Sequence, residues 1–191
     1  MHPGSTRWPI LAILAGCCAL GLSFSAQMLV PHWNADRLQV AAPSLHFLTG
    51  KALDRLHNGA AVPYAFQMTL TSIPRSLPLQ RSFDRFVVSY DVWGETFSVV
   101  ESREPRKAVS HLAANAAEAW CVGQMSVAPI GLPTDKDLWL RLEIRAGDPL
   151  PFPITEAGLS LTSLIELFNR PPQSQEWNAE TPSFRLGSLK R

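Results

Sequence analysis

Residues 62–71 read VPYAFQMTLT: Val62, Tyr64, Phe66, Met68 and Leu70 are large and apolar, and Pro63, Ala65, Gln67, Thr69 and Thr71 take the positions between them. A period of two puts one set on each side of an extended chain, so the stretch reads as a strand with one buried face. The pattern recurs. Phe86, Val88, Tyr90 and Val92 alternate with Arg85, Val87, Ser89 and Asp91, and Phe97 and Val99 come next once Trp93-Gly94 has made room for a hairpin turn. Leu138, Leu140, Leu142 and Ile144 alternate with Trp139, Arg141, Glu143 and Arg145. Four half-apolar strands must bury their faces together, which predicts a mainly β chain folded as an antiparallel β-sandwich of two layers.

Weaker strand signals at 38–40, 45–48 and 125–128 bring the expected count to six or seven. Two or three short helices interrupt them. Ser110 is placed to cap a helix over 111–121, with Leu112, Ala116 and Trp120 at four-residue spacing. Ser163 and Glu166 stand in the capping-box relation for a second helix over 164–169, which Pro171-Pro172 ends. A third fits 51–57, closed by Asn58-Gly59. Residues 147–158 hold Pro149, Pro151 and Pro153 and read as an extended connector. Trp177, Phe184 and Leu186 predict that the tail packs back as an edge strand, leaving 187–191 as a flexible terminus.

No charged side chain lies between Arg7 and Asp36, and the run from Trp8 to Val30 is about as long as a membrane-crossing helix. Residues 1–30 are therefore expected to be a signal peptide or transmembrane anchor. Arg7 on the near side favours export of the chain beyond the apolar run, so 31–186 is expected to form one domain outside the cytoplasm, periplasmic or at the outer surface. Three fates stay open: retention as an anchor through residues 8–30; cleavage near Ser23-Phe24-Ser25; or lipidation of Cys17, since Leu14-Ala15-Gly16-Cys17 is similar to a bacterial lipoprotein signal. Cys121 is then the one cysteine of the exported part, and burial is its expected state.

With 17 Lys and Arg against 16 Asp and Glu, dispersed along the chain, the balance excludes a nucleic-acid binder, whose affinity rests on massed cations. His2, His32, His46, His57 and His111 have no metal-ligand spacing, so no metal and no cofactor is expected, and His111 reads as neutral or solvated. No Gly-x-Ser-x-Gly elbow or phosphate-binding glycine loop occurs, and no catalytic residue is assigned. Asp91 and Glu95, with Asp84 further back, form the one acidic grouping with a chance of meeting in space, and Asp91 has the parity of a solvated face. Trp93 and Trp139 are the candidate binding surface. Trp139 stands on the outward parity of its strand, under a helix or the tail or else open to a partner.

The stretch from Arg85 to Val99, RFVVSYDVWGETFSV, together with Ala119-Trp120-Cys121, resembles a bacterial domain-of-unknown-function family, the one numbered 4390. The resemblance covers roughly residues 38–186. It implies a small exported protein, mostly β, with no assigned activity, and offers no catalytic or ligand residues to transfer. The expected function is a non-catalytic extracytoplasmic module that binds another envelope protein or an apolar ligand between its layers. The alternative is an envelope hydrolase built on dispersed polar residues around Asp91 and Glu95.

Overall fold

A computed structural model describes residues 28–74, 76–132, 134–147 and 175–190. The chain is mainly β. Nine strands run in order as β1 (Val30–Asn34), β2 (Arg37–Ala41), β3 (Val62–Thr71), β4 (Gln80–Asp91), β5 (Thr96–Glu101), β6 (Ala108–Leu112), β7 (Ser126–Val127), β8 (Trp139–Ala146) and β9 (Gln175–Glu180). Two α-helices are described, α1 (Gly50–His57) and α2 (Ala114–Gln124).

The strands form two antiparallel sheets, a six-stranded one ordered β6-β5-β4-β3-β8-β9 and a three-stranded one ordered β1-β2-β7. Alternation in β3 decides which way the larger sheet faces. Tyr64, Phe66, Met68 and Leu70 are fully buried, and their partners across the ladders, Phe86 on β4 and Leu140, Leu142 and Ile144 on β8, are buried on the same side. Over this inner face lie α1 against β3 and β4, α2 against β5 and β6, and β7 against β3 and β4. The opposite, outer face carries the other parity. A register slip of one residue in β3 would send four large apolar side chains into water, so the pairing is strongly specified.

Aromatic rings fill the gap between the layers. Phe47 meets Tyr64 at 5.2 Å and Phe66 at 5.3 Å, Phe66 meets Phe86 at 4.9 Å, and Phe86 meets Trp120 of α2 at 6.0 Å, each in an edge-on arrangement. Edge-to-face packing of this kind adds about 0.5–1.5 kcal/mol per pair beyond the area buried.

Phe47 reaches that cluster from residues 42–49, where a strand over 45–48 was expected. The structure shows a bent loop instead. Leu45, Phe47 and Leu48 are all buried, and the loop's amides bond to a side chain rather than to a neighbouring strand. Glu118 of α2 supplies the acceptor: its Oε1 takes the N–H of Phe47 at 2.7 Å and of Leu48 at 2.8 Å, while Oε2 lies 2.9 Å from His46 Nδ1.

The helix expected over 111–121 begins later, at Ala114, and Ser110 does not cap it. Ser110, His111 and Leu112 belong to edge strand β6, which supplies the partner that β5 needs. The register shifts between Phe97 and Val99, and His111 sits at φ +59°, so the edge strand is kinked. Such irregularities blunt the edge against further pairing. Helix propensity in an alanine-rich run yields here to the ladder of β5.

Other expectations fare variously. The helix over 51–57 and the strands over 38–40 and 125–128 appear as α1, β2 and the two-residue β7. The tail does return as an edge strand, β9, and Phe184 bridges to Leu138. Strand β1 was not expected, because its residues close the apolar N-terminal run. Residues 28 and 29 also join the fold: Met28 bridges Glu180, and Leu29 is buried with its N–H on the Glu180 carbonyl at 3.2 Å. The helix expected over 164–169, nearly all of the connector 147–158 and the segment to residue 27 lie outside the described residues.

Replacing Glu118 by Ala leaves two buried N–H groups without an acceptor, at about 1–3 kcal/mol each, partly offset by removal of a buried charge. Glu118→Ala is expected to lower stability in urea by about 3 kcal/mol and Glu118→Gln, which keeps an acceptor oxygen, by about 1 kcal/mol. Equal losses in the two variants would show that the carboxylate's charge, not its acceptor role, holds the loop.

Candidate functional site

Among the described residues, the outer face of the six-stranded sheet is the one that the helices and the smaller sheet leave uncovered. Its rows are set by the register. Arg81 of β4 pairs with Thr69, which pairs with Arg141; Phe83 pairs with Gln67 and thence with Glu143; Arg85 pairs with Ala65 and thence with Arg145; Val87 lies between Pro63 and Val100. Phe83 is 62% exposed in the middle of a regular strand, where an apolar ring has no packing reason to be. Along β4 it stands between Arg81 and Arg85.

Charge is distributed unevenly over this face. On β8 and β9 the cations are matched: Arg141 reaches Glu143 at 3.0 Å and Glu180 at 3.6 Å, and Arg145 reaches Glu176 at 3.1 Å. Exposed pairs like these contribute about 0–1 kcal/mol each, so they neutralise the surface more than they stabilise it. Arg81 and Arg85 have no carboxylate within ion-pair distance among the described residues. The β4 half of the face is therefore cationic and apolar at once.

At the β3–β4 end, the described residues of the connection 72–79 border a groove of about 300 Å³ on the outer face, with Pro74, Ser76 and Pro78 on one side and Thr69, Arg81, Trp139 and Arg141 on the other. Trp139 is half-buried there. Of the cover expected from a helix or the tail, neither described helix supplies any: both pack on the other face, because Trp139 has the parity opposite to the buried Leu140. Prolines of the β3–β4 connection share its groove instead.

Trp93, the other aromatic candidate, is 96% exposed at the tip of the β4–β5 hairpin. The two tryptophans are not brought together. Strand β4 has 12 residues, which at about 3.3 Å each places them roughly 40 Å apart at opposite ends of the sheet. Asp91 and Glu95 flank Trp93 at that tip, both exposed. Asp91 Oδ1 accepts the N–H of Trp93 at 3.0 Å, and a Cβ on Gly94 would come within 2.9 Å of Asp91 Oδ2, so the carboxylate shapes the turn. Glu95 takes φ +51° in the same turn. Glycosidase-like chemistry needs one desolvated carboxyl, and neither of these is desolvated.

A different acidic pair is buried. Asp84 of β4 and Glu101 of β5 both face inward, and Arg103 Nη2 lies 2.9 Å from an oxygen of each. Asp84 Oδ1 also accepts the N–H of Arg85 at 3.0 Å, while Glu101 Oε2, with Lys107 Nζ at 3.9 Å, has no hydrogen bond among the described residues. Burial raises the Asp84 carboxyl above its usual range and outweighs the Arg85 amide and Arg103; Glu101 pushes it further up. Sequence spacing pointed to Asp84 only as an outlier of the Asp91–Glu95 group. Its inward parity, shared with Phe86 and Val88, was the signal that separates it.

Cys121 is fully buried on α2. Burial first and then the nearby Glu118 push its thiol well above the ordinary range, and burial, Cys121 and Glu118 do the same to the Tyr64 hydroxyl, which has no hydrogen-bond partner among the described residues. A thiol so held carries almost no thiolate near neutral pH and is a packing group, not a nucleophile. Among the described residues no three His, Cys, Asp or Glu side chains group so as to hold a metal ion. Compared with known proteins, the chain matches no family model, no curated protein and no solved structure.

Two measurements check these assignments. Cys121 is expected to stay unmodified by a soluble maleimide in the native chain and to react fully in denaturant, as read by peptide mapping; native labelling would place the thiol at the surface. Asp84 binds a proton more tightly folded than unfolded, so its ionisation costs stability as pH rises through the folded value, and that cost vanishes in acid. Asp84→Asn is thus expected to raise the unfolding midpoint at pH 8 relative to the parent, with the gap closing below about pH 4. A lower midpoint at pH 8 would mean that the bond to Arg103 outweighs desolvation.

Proposed function

We propose that the chain is a non-catalytic extracytoplasmic module, exported or anchored through its first 30 residues, which docks another envelope protein on the open face of a two-layer, sandwich-like fold. The observation that carries this reading is Phe83, exposed on that face between two arginines that have no carboxylate partner among the described residues. A ring flanked by guanidinium groups is the residue combination that dominates binding energy at protein interfaces. Unmatched cations beside it favour a partner surface that brings acidic groups and an apolar side chain together. An apolar ligand between the layers is less favoured, since buried rings occupy that space. The hydrolase alternative is less favoured too, since Asp91 and Glu95 are exposed.

The placement outside the cytoplasm rests on the apolar run and Arg7. Likeness of residues 85–99 to the domain-of-unknown-function family numbered 4390 belongs to the same reading, on the strength of those residues. No helix among the described residues is long and apolar enough to cross a membrane; the crossing proposed here is assigned to the apolar run within residues 8–30.

Gentle crosslinking of the full chain in its own membrane fraction, followed by affinity recovery and intact-mass measurement, tests the proposal. One envelope protein is expected in near-equal amount. Phe83→Ser combined with Arg85→Glu is expected to reduce its recovery about 30-fold or more, the effect of losing roughly 2 kcal/mol at an interface centre. Retained folding is checked by an unchanged unfolding midpoint. Recovery unaffected by this double change, or no partner at all, would remove the open face as the docking surface.

A further inference from the structure

The β3–β4 connection is the most apolar exposed segment that the proposed docking face leaves unused. Ile73 is 63% exposed, Leu77 88% and Leu79 42%. Pro74 and Pro78 accompany them, and Ser72–Leu79 contains no acidic residue. In water such exposed side chains are costly, and a groove of about 300 Å³ lies between the loop and its own sheet.

Its position in the fold points to what covers it. Strand β8 begins at this end with Trp139 opposite Thr71, and β9 finishes there with Glu180 opposite Arg141. Met28 bridges Glu180. The described chain therefore starts at the same end of the six-stranded sheet as the loop. Met28 lies beside β9, and β8 separates β9 from β3, so about three inter-strand spacings, roughly 14 Å, lie between Met28 and the β3 end of the connection, and about four, roughly 19 Å, between Met28 and its β4 end. The 20 residues immediately before Met28, Trp8 to Gln27, are uncharged, and as a helix they would extend about 30 Å, one hydrocarbon thickness.

We infer that Ile73, Leu77 and Leu79 dip into the outer surface of the bilayer beside the point where the chain leaves it. This rests on the membrane reading of residues 8–30 proposed for the module. The loop and the anchor then hold the sheet by two points, with the strands standing up from the surface and the Trp93 hairpin at the far end. Local charge permits the approach. Glu143 and Glu180 are paired with Arg141, and Asp137 with Arg185 at 2.8 Å, so few acids at this end stand unmatched against lipid phosphates, while Arg81 can meet them. The occupant is a phospholipid surface, which fits leucine, isoleucine and proline flanked by arginine better than a structured cavity would.

Photolabelling of the full chain in phosphatidylcholine–phosphatidylglycerol vesicles with a diazirine lipid tests this without any substitution. Trypsin releases residues 8–37, 76–81 and 86–103 as separate peptides. Label is expected on 8–37 and on 76–81, at least tenfold above that on 86–103, which holds Trp93. Leu77→Asp is expected to lower the 76–81 label severalfold while leaving 8–37 unchanged. Label on 8–37 with none on 76–81 would overturn the inference and leave the membrane reading standing. Label on 76–81 alone would support the loop's insertion and overturn the anchor. An absence of label from both would overturn the two together.

Discussion

Glu118 makes the tie on which the covered side of the molecule depends. An extended sheet with one apolar face needs a lid, and beside the helices and β7 part of the lid here is not regular structure: residues 42–49 cross it as a bent loop with three buried side chains. Buried backbone outside a helix or ladder must still find acceptors. One carboxylate meets two of those amides and orients His46 as well, and because it projects from α2 it fixes the helix to the loop in the same act. Phe47 is thereby held at the centre of the aromatic cluster. The closeness of Tyr64 and Cys121, whose acid forms Glu118 helps to keep, shows how dry that region is.

Asymmetry between the sheet's two faces then governs where anything can bind. In the described core the inner face is filled by rings at 4.9–6.3 Å and covered by two helices. The outer face bears matched ion pairs on β8 and β9 and unmatched arginines with an exposed ring on β4. A purely solvated sheet face needs no such ring.

Strict alternation made much of this legible before any coordinates. β3, β4, β5 and β8 were readable because each has one dry and one wet side, and a side-chain period of two is hard to mistake over six to twelve residues. Where environment rather than periodicity decides, the reading failed. Residues 45–48 look like a strand because three of the four are apolar, yet the acceptor for the Phe47 and Leu48 amides is Glu118, some 70 positions away. Ser110 looks like a helix cap, yet the ladder of β5 claims it. Strand β1 was hidden because Val30 and Pro31 also close an apolar run that reads as a leader. The site fared in the same way: Trp93 and Trp139 were visible as outward aromatics, but their separation along β4 was not. Phe83 and Arg85 drew no notice because a lone ring on the polar parity gains meaning only when its cross-strand neighbours are known.

Strand β4 is the element that connects these points. Its first residues carry the apolar connection beside Met28, its middle carries Phe83 between two arginines, and its last residue shapes the turn that exposes Trp93. A single twisted strand of about 40 Å thus spans three chemically distinct surfaces, and its inner side is fixed throughout by Asp84, Phe86 and Val88. Because the buried parity cannot slip without exposing those residues, the outer parity cannot slip either. The spacing between the apolar end, the cationic middle and the aromatic tip is therefore set by the core, and a partner that reads the middle of this face meets it at a fixed distance and angle from the end where Met28 bridges Glu180.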